Sequence, residues 1–246
     1  FSDIDPELCN GFIEFLQTTK SKKSDKVQLS ENSIKTYYDK FRSALKQAYK
    51  DGYLSENIAD KTDAVKQAET QRNYLTLEEL NTLVKTDCKS PEIKTQALFS
   101  ALTGLRRSDI QKLIWGEVQH VEGSGYLIRF MQKKTGGSET LPITEQAFNL
   151  LGERKQPTDN VFTLIQETNQ RENRYLTKWV LDAGISKKIT FHCFRHTFAT
   201  LQLSMGTDIY TVSKMLGHKD LNTTQIYAKI IDETKRTASN RIKLEM

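Results

Sequence analysis

The stretch that decides the fold is residues 191–227, FHCFRHTFATLQLSMGTDIYTVSKMLGHKDLNTTQIY. Its beginning predicts a helix, and on a helix His192 and Arg195, three positions apart, lie on the same face. His218 follows a Leu-Gly turn, and Tyr227 comes nine residues after it. The stretch therefore gathers histidine, arginine and tyrosine side chains within one short part of the chain.

A second short motif, TGLRRSD at residues 103–109, places Arg106 at the end of an apolar helix. Two arginines, two histidines and a tyrosine make a poor metal site, but they suit a phosphodiester. A phosphoryl-transfer transition state spreads negative charge over the non-bridging oxygens, and planar guanidinium groups bind such oxygens in pairs. Tyrosine is then the candidate nucleophile, and its product is a covalent phosphotyrosine.

The order of these motifs resembles the tyrosine recombinases, or phage-type integrases. The pattern of that family is an Arg after Thr-Gly-x, a Lys on a β-hairpin, His-x-x-Arg, Leu-Gly-His and a Tyr, and the match covers residues 74–232. Residues 6–60 resemble the helical DNA-clamping domain of the family. Around Lys133, Lys134 and His192 the sequence resembles mobile-element integrases from Bacteroidetes.

Composition narrows the class of protein. The 246 residues, 37% hydrophobic and 27% charged, are enough for one large globular domain or two ordinary ones. No apolar run approaches the roughly 20 residues of a membrane span, and no secretory signal opens the chain. Three scattered cysteines without a CxxC pair argue against a disulfide framework or a zinc site and suit a reducing cytoplasm. A net charge of +5 favours an anionic partner.

The sequence predicts a mainly α-helical fold with a small antiparallel β-sheet, arranged in two domains. We expect a helical, SAM-like core-DNA-binding domain over residues 1–65, a polar linker over 66–73 and an α+β catalytic domain over 74–246. A capping box at Thr76 opens the second domain. Because the chain starts at Phe1 without a methionine, we expect an N-terminal part of a longer protein to be missing.

In the first domain, Pro6 after an aspartate predicts a helix start. Residues 18–26 are polar and basic without periodicity, which favours a loop. Ser30 or Asn32 can cap the next helix, which ends near Gly52. The polar side of this helix carries a basic ridge, which is either solvated surface or a binding surface for DNA phosphates. The ridge consists of Arg42, Lys46 and Lys50.

In the second domain, a helix that starts at Ser90-Pro91 stops at Gly104, so Arg106 emerges from a packed helix terminus. Two strands, 126–131 and 139–143, flank a Gly-Gly turn, and Lys134 lies at the edge of that turn. The remaining periodicity predicts helices over 144–151, 166–182, 192–205, 208–216, 223–229 and 232–242.

The resemblance implies a role for each motif. Arg106 and Arg195 bind the non-bridging oxygens, and Tyr227 attacks phosphorus to leave a 3′-phosphotyrosine and a free 5′-hydroxyl. A free phenol has a pKa of about 10, so the attack needs a base or a cationic environment. His192 is the candidate base and His218 a hydrogen-bond donor to the transition state. The alternative for Tyr227 is an ordinary core aromatic residue; two competing tyrosines lack its spacing, namely Tyr175 and Tyr210.

Lys134 is the candidate general acid that protonates the departing 5′-oxygen, and the alternative is that it only contacts a phosphate. Lys133 is the other candidate for the general acid; if it is not the acid, we expect it to contact DNA. Asp109 can orient a nearby arginine or histidine. His196 and His192 have the i, i+4 spacing of a zinc motif, but a cysteine stands where the metalloprotease motif needs glutamate. We therefore expect His196 to pack or hydrogen-bond beneath the site, and we expect no metal.

The resemblance implies a site-specific recombinase that passes through a Holliday junction without cofactor, metal or ATP. The alternatives are a type IB topoisomerase, which shares the catalytic set, and a catalytically silent DNA-binding protein. Expected partners are double-stranded recombination sites, gripped by a two-domain clamp, and accessory DNA-bending proteins. A homotetramer on DNA would exchange a C-terminal helix, for which residues 233–244 are the candidate. The expected location is the bacterial cytoplasm, at the nucleoid.

Overall fold

The structure is a computed structural model, and it describes residues 3–21, 24–68, 72–132, 136–163 and 169–227. The chain folds as two compact units, Phe1–Gln71 and Arg72–Met246. In the described ranges helices dominate, and the strands form a two-stranded hairpin and a three-stranded antiparallel sheet. The predicted mainly helical fold class is therefore confirmed. Within these ranges no helix has the length and apolarity that crossing a bilayer requires.

The first unit begins with helix α1 (Pro6–Thr18), which is capped by Asp5: its carboxylate accepts from the Leu8 backbone N–H at 2.7 Å. Strands β1 (Lys20–Ser21) and β2 (Ser24–Gln28) follow as an antiparallel pair, so the predicted loop over residues 18–26 is wrong. The hairpin is held by backbone hydrogen bonds between polar residues. It therefore lacks the apolar alternation by which a half-buried strand is recognised.

Helix α2 (Glu31–Lys50) completes the first unit. Its cap is Ser30, and it ends at Asp51, before Gly52 at φ 79°. Its apolar side packs in two clusters against α1 and against a 3-10 turn at Ile58–Asp60. The side-chain amide of Asn32 also binds both backbone groups of Ala68, at 3.2 and 3.0 Å, so part of the expected linker is tied to α2.

The second unit opens with α3 (Leu77–Lys85), where Thr76 and Glu79 form the predicted capping box. Helix α4 (Pro91–Thr103) is capped by Ser90 and ends at Gly104, which has φ 70°. A Cβ at Gly104 would also lie 2.6 Å from the Phe198 ring. Both the backbone conformation and the close packing therefore require glycine at this position.

After α5 (Arg107–Lys112) and a 3-10 turn, the chain forms the sheet β3 (Val118–Val121), β4 (Gly125–Met131) and β5 (Ser138–Ile143) in sequential order. Met131 pairs with Ser138 at the end of the β4–β5 hairpin. The two predicted strands are confirmed to within one residue. Lys133, Lys134 and Thr135, which fall between these two strands in the sequence, lie outside the described residues.

Five further helices lie in the rest of the described chain. They are α6 (Glu145–Asn149), α7 (Asn169–Asp182), α8 (Phe191–Ser204), α9 (Ile209–Met215) and α10 (Asn222–Gln225). Helix α8 is buried along most of its length and packs against α4. It contributes Phe194 to the main core and Phe198 to a smaller cluster with α9 and Tyr227. The predicted helix over 232–242 lies outside the described residues.

Candidate active site

Arg195 is the centre of the site because it joins three segments. It is 4% exposed on helix α8, and its guanidinium donates to the carbonyl of Gly104 at 2.6 Å and to that of Leu216 at 2.7 Å. The same group lies 3.0 Å from Nε2 of His218. Burial and the neighbouring Arg106 lower the pKa of Arg195 to about 10, so it remains a cation at neutral pH. None of these three partners is a carboxylate, and a bound anion would offset the cost of burying this charge.

Arg106 follows the Gly104 turn and stands at the N-cap of α5. Its Nη1 donates to Oε1 of Gln132 at 3.0 Å and lies 3.8 Å from Oδ2 of the buried Asp109. Asp109 therefore lies beside Arg106. The sequence predicted that Asp109 orients a nearby arginine or histidine, and Arg106 is such an arginine. The positive charge of Arg106 also contributes to the lowered pKa of Arg195.

A cavity of about 330 Å³ opens beside these arginines, and its lining includes Arg106, Arg195 and His192. Arg107 and Glu172 also line it, and these two side chains form an ion pair with each other. The carboxylate of Glu172 is buried, which raises its pKa, while Arg107 opposes that rise. Arg107 is in close contact with the carboxylate of Glu172, whereas Arg106 lies 3.8 Å from that of Asp109 and donates to the neutral amide of Gln132, so Arg106 is the better candidate of the two adjacent arginines for binding an anion.

The two predicted catalytic histidines have different surroundings. His192 is exposed on the first turn of α8, at the cavity. His218 is half-buried in the turn after α9; burial and the nearby arginines lower its pKa to about 4, so it is neutral at pH 7. Arginine can only donate, so Nε2 of His218 accepts from Arg195, and Nδ1 carries the proton towards Oγ1 of Thr224 at 2.8 Å. In this arrangement neither nitrogen is directed to an outside acceptor.

Gln132 is a site residue that sequence reasoning missed. It is 4% exposed at the end of β4 and accepts from Arg106. It also lies against Gly217 of the Leu-Gly-His turn, where a Cβ would come within 1.7 Å of its Nε2. The one available signal was its position two residues before Lys134. Gln132 therefore links Arg106 and the histidine turn to the end of β4, which both lysines follow in the sequence.

Tyr227 is 5% exposed and packs in the small cluster formed by α8 and α9. Its hydroxyl lies 2.5 Å from Nδ1 of His196. Burial raises the pKa of the Tyr227 phenol, while the charges of Arg195 and Arg72 lower it. The residues that line the cavity do not include Tyr227. The competing Tyr210 is 61% exposed on α9.

His196 contacts Tyr227 through one ring nitrogen and Arg72 through the other. It is 5% exposed, and its Nε2 lies 3.3 Å from Nη1 of Arg72. Burial, followed by the nearby His192, Arg72, Arg195 and His218, lowers the pKa of His196 to about 3. His196 therefore hydrogen-bonds beneath the site as a neutral imidazole. Across the described ranges, no group of three or more His, Cys, Asp or Glu side chains is placed to hold a metal ion.

The three residues of the expected DNA-binding ridge on α2 make different contacts. Arg42 donates twice to the carbonyl of Ala59, at 2.6 and 3.2 Å, so it braces its own unit. Lys46 lies 3.3 Å from the carboxylate of Asp60, and Lys50 is exposed. An exposed ion pair of this kind is weak, so Lys46 and Lys50 remain the ridge residues that can reach a phosphate.

Comparison with known proteins identifies the family of the chain. The phage integrase family matches residues 73–234, and the phage integrase SAM-like domain matches residues 1–81. The chain is 30% identical over 216 residues to the tyrosine recombinase XerD of Listeria innocua, covering 82% of this chain and 72% of that protein. It is 33% identical over 147 residues to XerA of Saccharolobus solfataricus, covering 58% of this chain and 48%, or about half, of that relative.

Solved structures share the fold. XerH recombinase in a post-cleavage complex with its difH substrate has a TM-score of 0.72 at 19% identity and covers 97% of this chain and 72% of that one. A lambda integrase dimer on a COC′ core site has a TM-score of 0.64 at 20% identity, with coverage of 92% and 80%. The chain belongs to the phage integrase family of tyrosine recombinases, and the resemblance of its motifs to that family is confirmed.

Proposed function

We propose that this chain is a site-specific DNA recombinase that cleaves and rejoins DNA through a 3′-phosphotyrosine on Tyr227. One observation carries the proposal: Arg106, Arg195 and His192 meet at one cavity, and the hydroxyl of Tyr227 lies 2.5 Å from His196, which is on the same helix as His192 and Arg195. The family to which the chain belongs supports the same activity. We place its action on chromosomal DNA in a bacterial cytoplasm.

In this proposal the scissile phosphate binds between Arg106 and Arg195. Two guanidinium groups neutralise the charge that develops on the non-bridging oxygens, and their own hydrogen bonds hold them in place before DNA arrives. Such preorganisation lowers the barrier because the site need not reorganise as the charge forms.

The chemical step exchanges one phosphodiester for another. The oxygen of Tyr227 forms a bond to phosphorus, its proton passes to His192, and the bond from phosphorus to the 5′-oxygen breaks. Lys134 supplies the proton that this oxygen takes up. Attack by a 5′-hydroxyl from the other duplex reverses the step, and two such exchanges make and resolve a Holliday junction. Because every intermediate keeps a phosphodiester bond, the exchange needs no ATP.

The assembly around this chemistry is also part of the proposal. Both units bind duplex DNA, with Lys46 and Lys50 bound to phosphates. Four chains form the synapse, and residues 233–244 supply a helix to a neighbouring chain. Accessory DNA-bending proteins assist where the recombination sites demand it.

A pool of nicked duplexes with a randomised centre tests the proposal without a known target. Cleavage beside the nick releases the short piece that carries the new 5′-hydroxyl, so the covalent adduct accumulates and migrates as a larger species on a denaturing gel. We expect adduct with the wild type and with Tyr210→Phe, and none with Tyr227→Phe, although DNA binding persists in that variant. Adduct formation by Tyr227→Phe would contradict the assignment of the nucleophile.

The recovered sequences then separate the functional classes. When two labelled duplexes of the selected sequence are mixed, a recombinase joins strands of one duplex to strands of the other. Religation within each duplex alone would indicate a topoisomerase-like activity, and the absence of any adduct would indicate a silent DNA-binding protein.

A further inference from the structure

A chain of three side chains leads from the start of the catalytic unit to the proposed nucleophile. Arg72 lies 3.3 Å from Nε2 of His196, and Nδ1 of His196 lies 2.5 Å from the hydroxyl of Tyr227. Arg72 is exposed, whereas His196 and Tyr227 are each 5% exposed. These residues are far apart in sequence, so only the tertiary fold brings them into contact.

The order of donors and acceptors along this chain is fixed by elementary chemistry. A guanidinium group has only donors, so Nε2 of His196 must be an acceptor. A neutral imidazole carries one proton, which then resides on Nδ1. His196 is neutral because burial and the groups that face it keep its pKa far below neutral pH. Those groups are His192, Arg72, Arg195 and His218.

Two consequences follow for Tyr227. His196 donates to the phenol oxygen, and because its Nδ1 already carries a proton it cannot accept the proton of the phenol. A donor stabilises the phenolate more than the neutral phenol. Tyr227 needs such a donor because burial, the largest influence on its pKa, disfavours the phenolate. The charges of Arg195 and Arg72 favour the phenolate but do not outweigh burial. If Arg72 were absent, the phenol O–H could donate to Nδ1 instead, and His196 would then stabilise the neutral phenol.

We infer that Arg72 is a positioning residue for the nucleophile: it holds His196 in the Nδ1–H tautomer, and His196 in turn holds the oxygen of Tyr227 and stabilises its phenolate. The kinetic part of this inference rests on the proposed function, in which Tyr227 attacks DNA. The tautomer itself is a property of the free protein. The two can therefore be tested separately.

The tautomer is tested by imidazole ¹⁵N NMR of the full chain without DNA. The chain has four histidines, so single substitutions assign each ring. We expect the proton of His196 on Nδ1 in the wild type and in Arg72→Lys, which keeps a donor. In Arg72→Met we expect it on Nε2 in a substantial fraction of the molecules. A wild-type proton on Nε2, or a tautomer unmoved by Arg72→Met, would overturn the inference whatever the enzyme does to DNA.

The kinetic consequence is tested by the pH profile of adduct formation with saturating protein and the selected nicked duplex. At pH 7 we expect Arg72→Met to slow adduct formation roughly 10-fold and to move the rising limb of the profile to higher pH by about 1 pH unit. Because Arg72 is exposed, its replacement should leave the fold intact. Lys85→Met, which also removes one exposed cation from the same unit, is the matched control and should leave rate and profile unchanged.

Variants of His196 separate positioning from simple packing. The amide nitrogen of Asn occupies the place of Nδ1, so His196→Asn should keep much of the rate, whereas His196→Leu should lose it. If Arg72→Met weakens only DNA affinity, or if it speeds adduct formation, Arg72 does not position the nucleophile and the inference fails. A wild type that forms no adduct would contradict the proposed function instead, and the NMR result would still decide the tautomer.

Discussion

Replacing Arg195 with lysine tests how the site is built. The guanidinium donates to two carbonyls, those of Gly104 and Leu216, and also contacts His218. One ammonium group cannot occupy both donor positions, so at least one buried carbonyl loses its partner. A buried group left without its partner costs about 1–3 kcal/mol, which is the expected loss in the free energy of unfolding of Arg195→Lys.

The loss in catalysis should exceed the loss in stability. Arg195→Lys also removes the planar pair of donors that binds two phosphate oxygens, and loss of one such oxyanion contact slows a reaction roughly 10²–10³-fold. Urea unfolding measures the first effect, and adduct formation at saturating protein measures the second. Arg154 is a matched control because it donates to two carbonyls of the same unit, those of Trp115 and Val118, both at 3.2 Å.

Arg154→Lys should lower stability by less, since Arg154 is exposed, and it should leave the rate of adduct formation unchanged. An Arg195→Lys variant as stable as the wild type would refute the bracing role of the guanidinium. A stability loss without a loss of rate would refute its contact with the phosphate.

Three further predictions concern the acid, the DNA contact and pH. Lys134→Ala should slow cleavage of ordinary DNA roughly 10²–10⁴-fold and be rescued by a 5′-bridging sulfur, whose thiolate leaves without a proton; rescue of Lys133→Ala instead would identify the other lysine. Alanine at Lys46 and Lys50 should weaken binding to all sequences and flatten its salt dependence, and unchanged titrations would contradict the DNA contact. His218 has a native pKa of about 4, below its ordinary value near 6.5, so the unfolded chain protonates first and stability should fall from pH 7 towards pH 4. Urea midpoints that are flat over this range, or a slope that His218→Asn leaves unchanged, would contradict that prediction.

Local chemistry made much of the fold predictable. The caps at Asp5, Ser30, Thr76 and Ser90 and the strands beside the Gly-Gly turn depend on residues near them in sequence, and they lie where the sequence placed them. The hairpin β1–β2 was missed because its strands are almost entirely polar and show no apolar alternation.

The sequence predicted which types of residue form the site, but it predicted only some of the contacts between them. The motifs predict Arg106, Arg195 and Tyr227. Gln132 is marked only by its position two residues before Lys134, and no residue near Arg72 distinguishes it from an ordinary polar residue. Gln132 reaches Arg106 across 26 positions, and Arg72 reaches His196 across 124. Hydrogen bonds over such distances are set by tertiary packing, which a local pattern does not encode. For the same reason, the contact of Arg42 with Ala59 could not be foreseen from the spacing of the basic ridge.

The most direct test of the account is to identify the residue that carries DNA. Covalent adduct isolated from the nicked duplex pool is digested with nuclease and protease, and the modified peptide is sequenced by mass spectrometry. We expect a nucleotide attached through its 3′-phosphate to the tyrosine oxygen of Tyr227, in the peptide that follows the Leu-Gly-His turn. A nucleotide on Tyr210, on any other residue, or attached through a 5′-phosphate would contradict it.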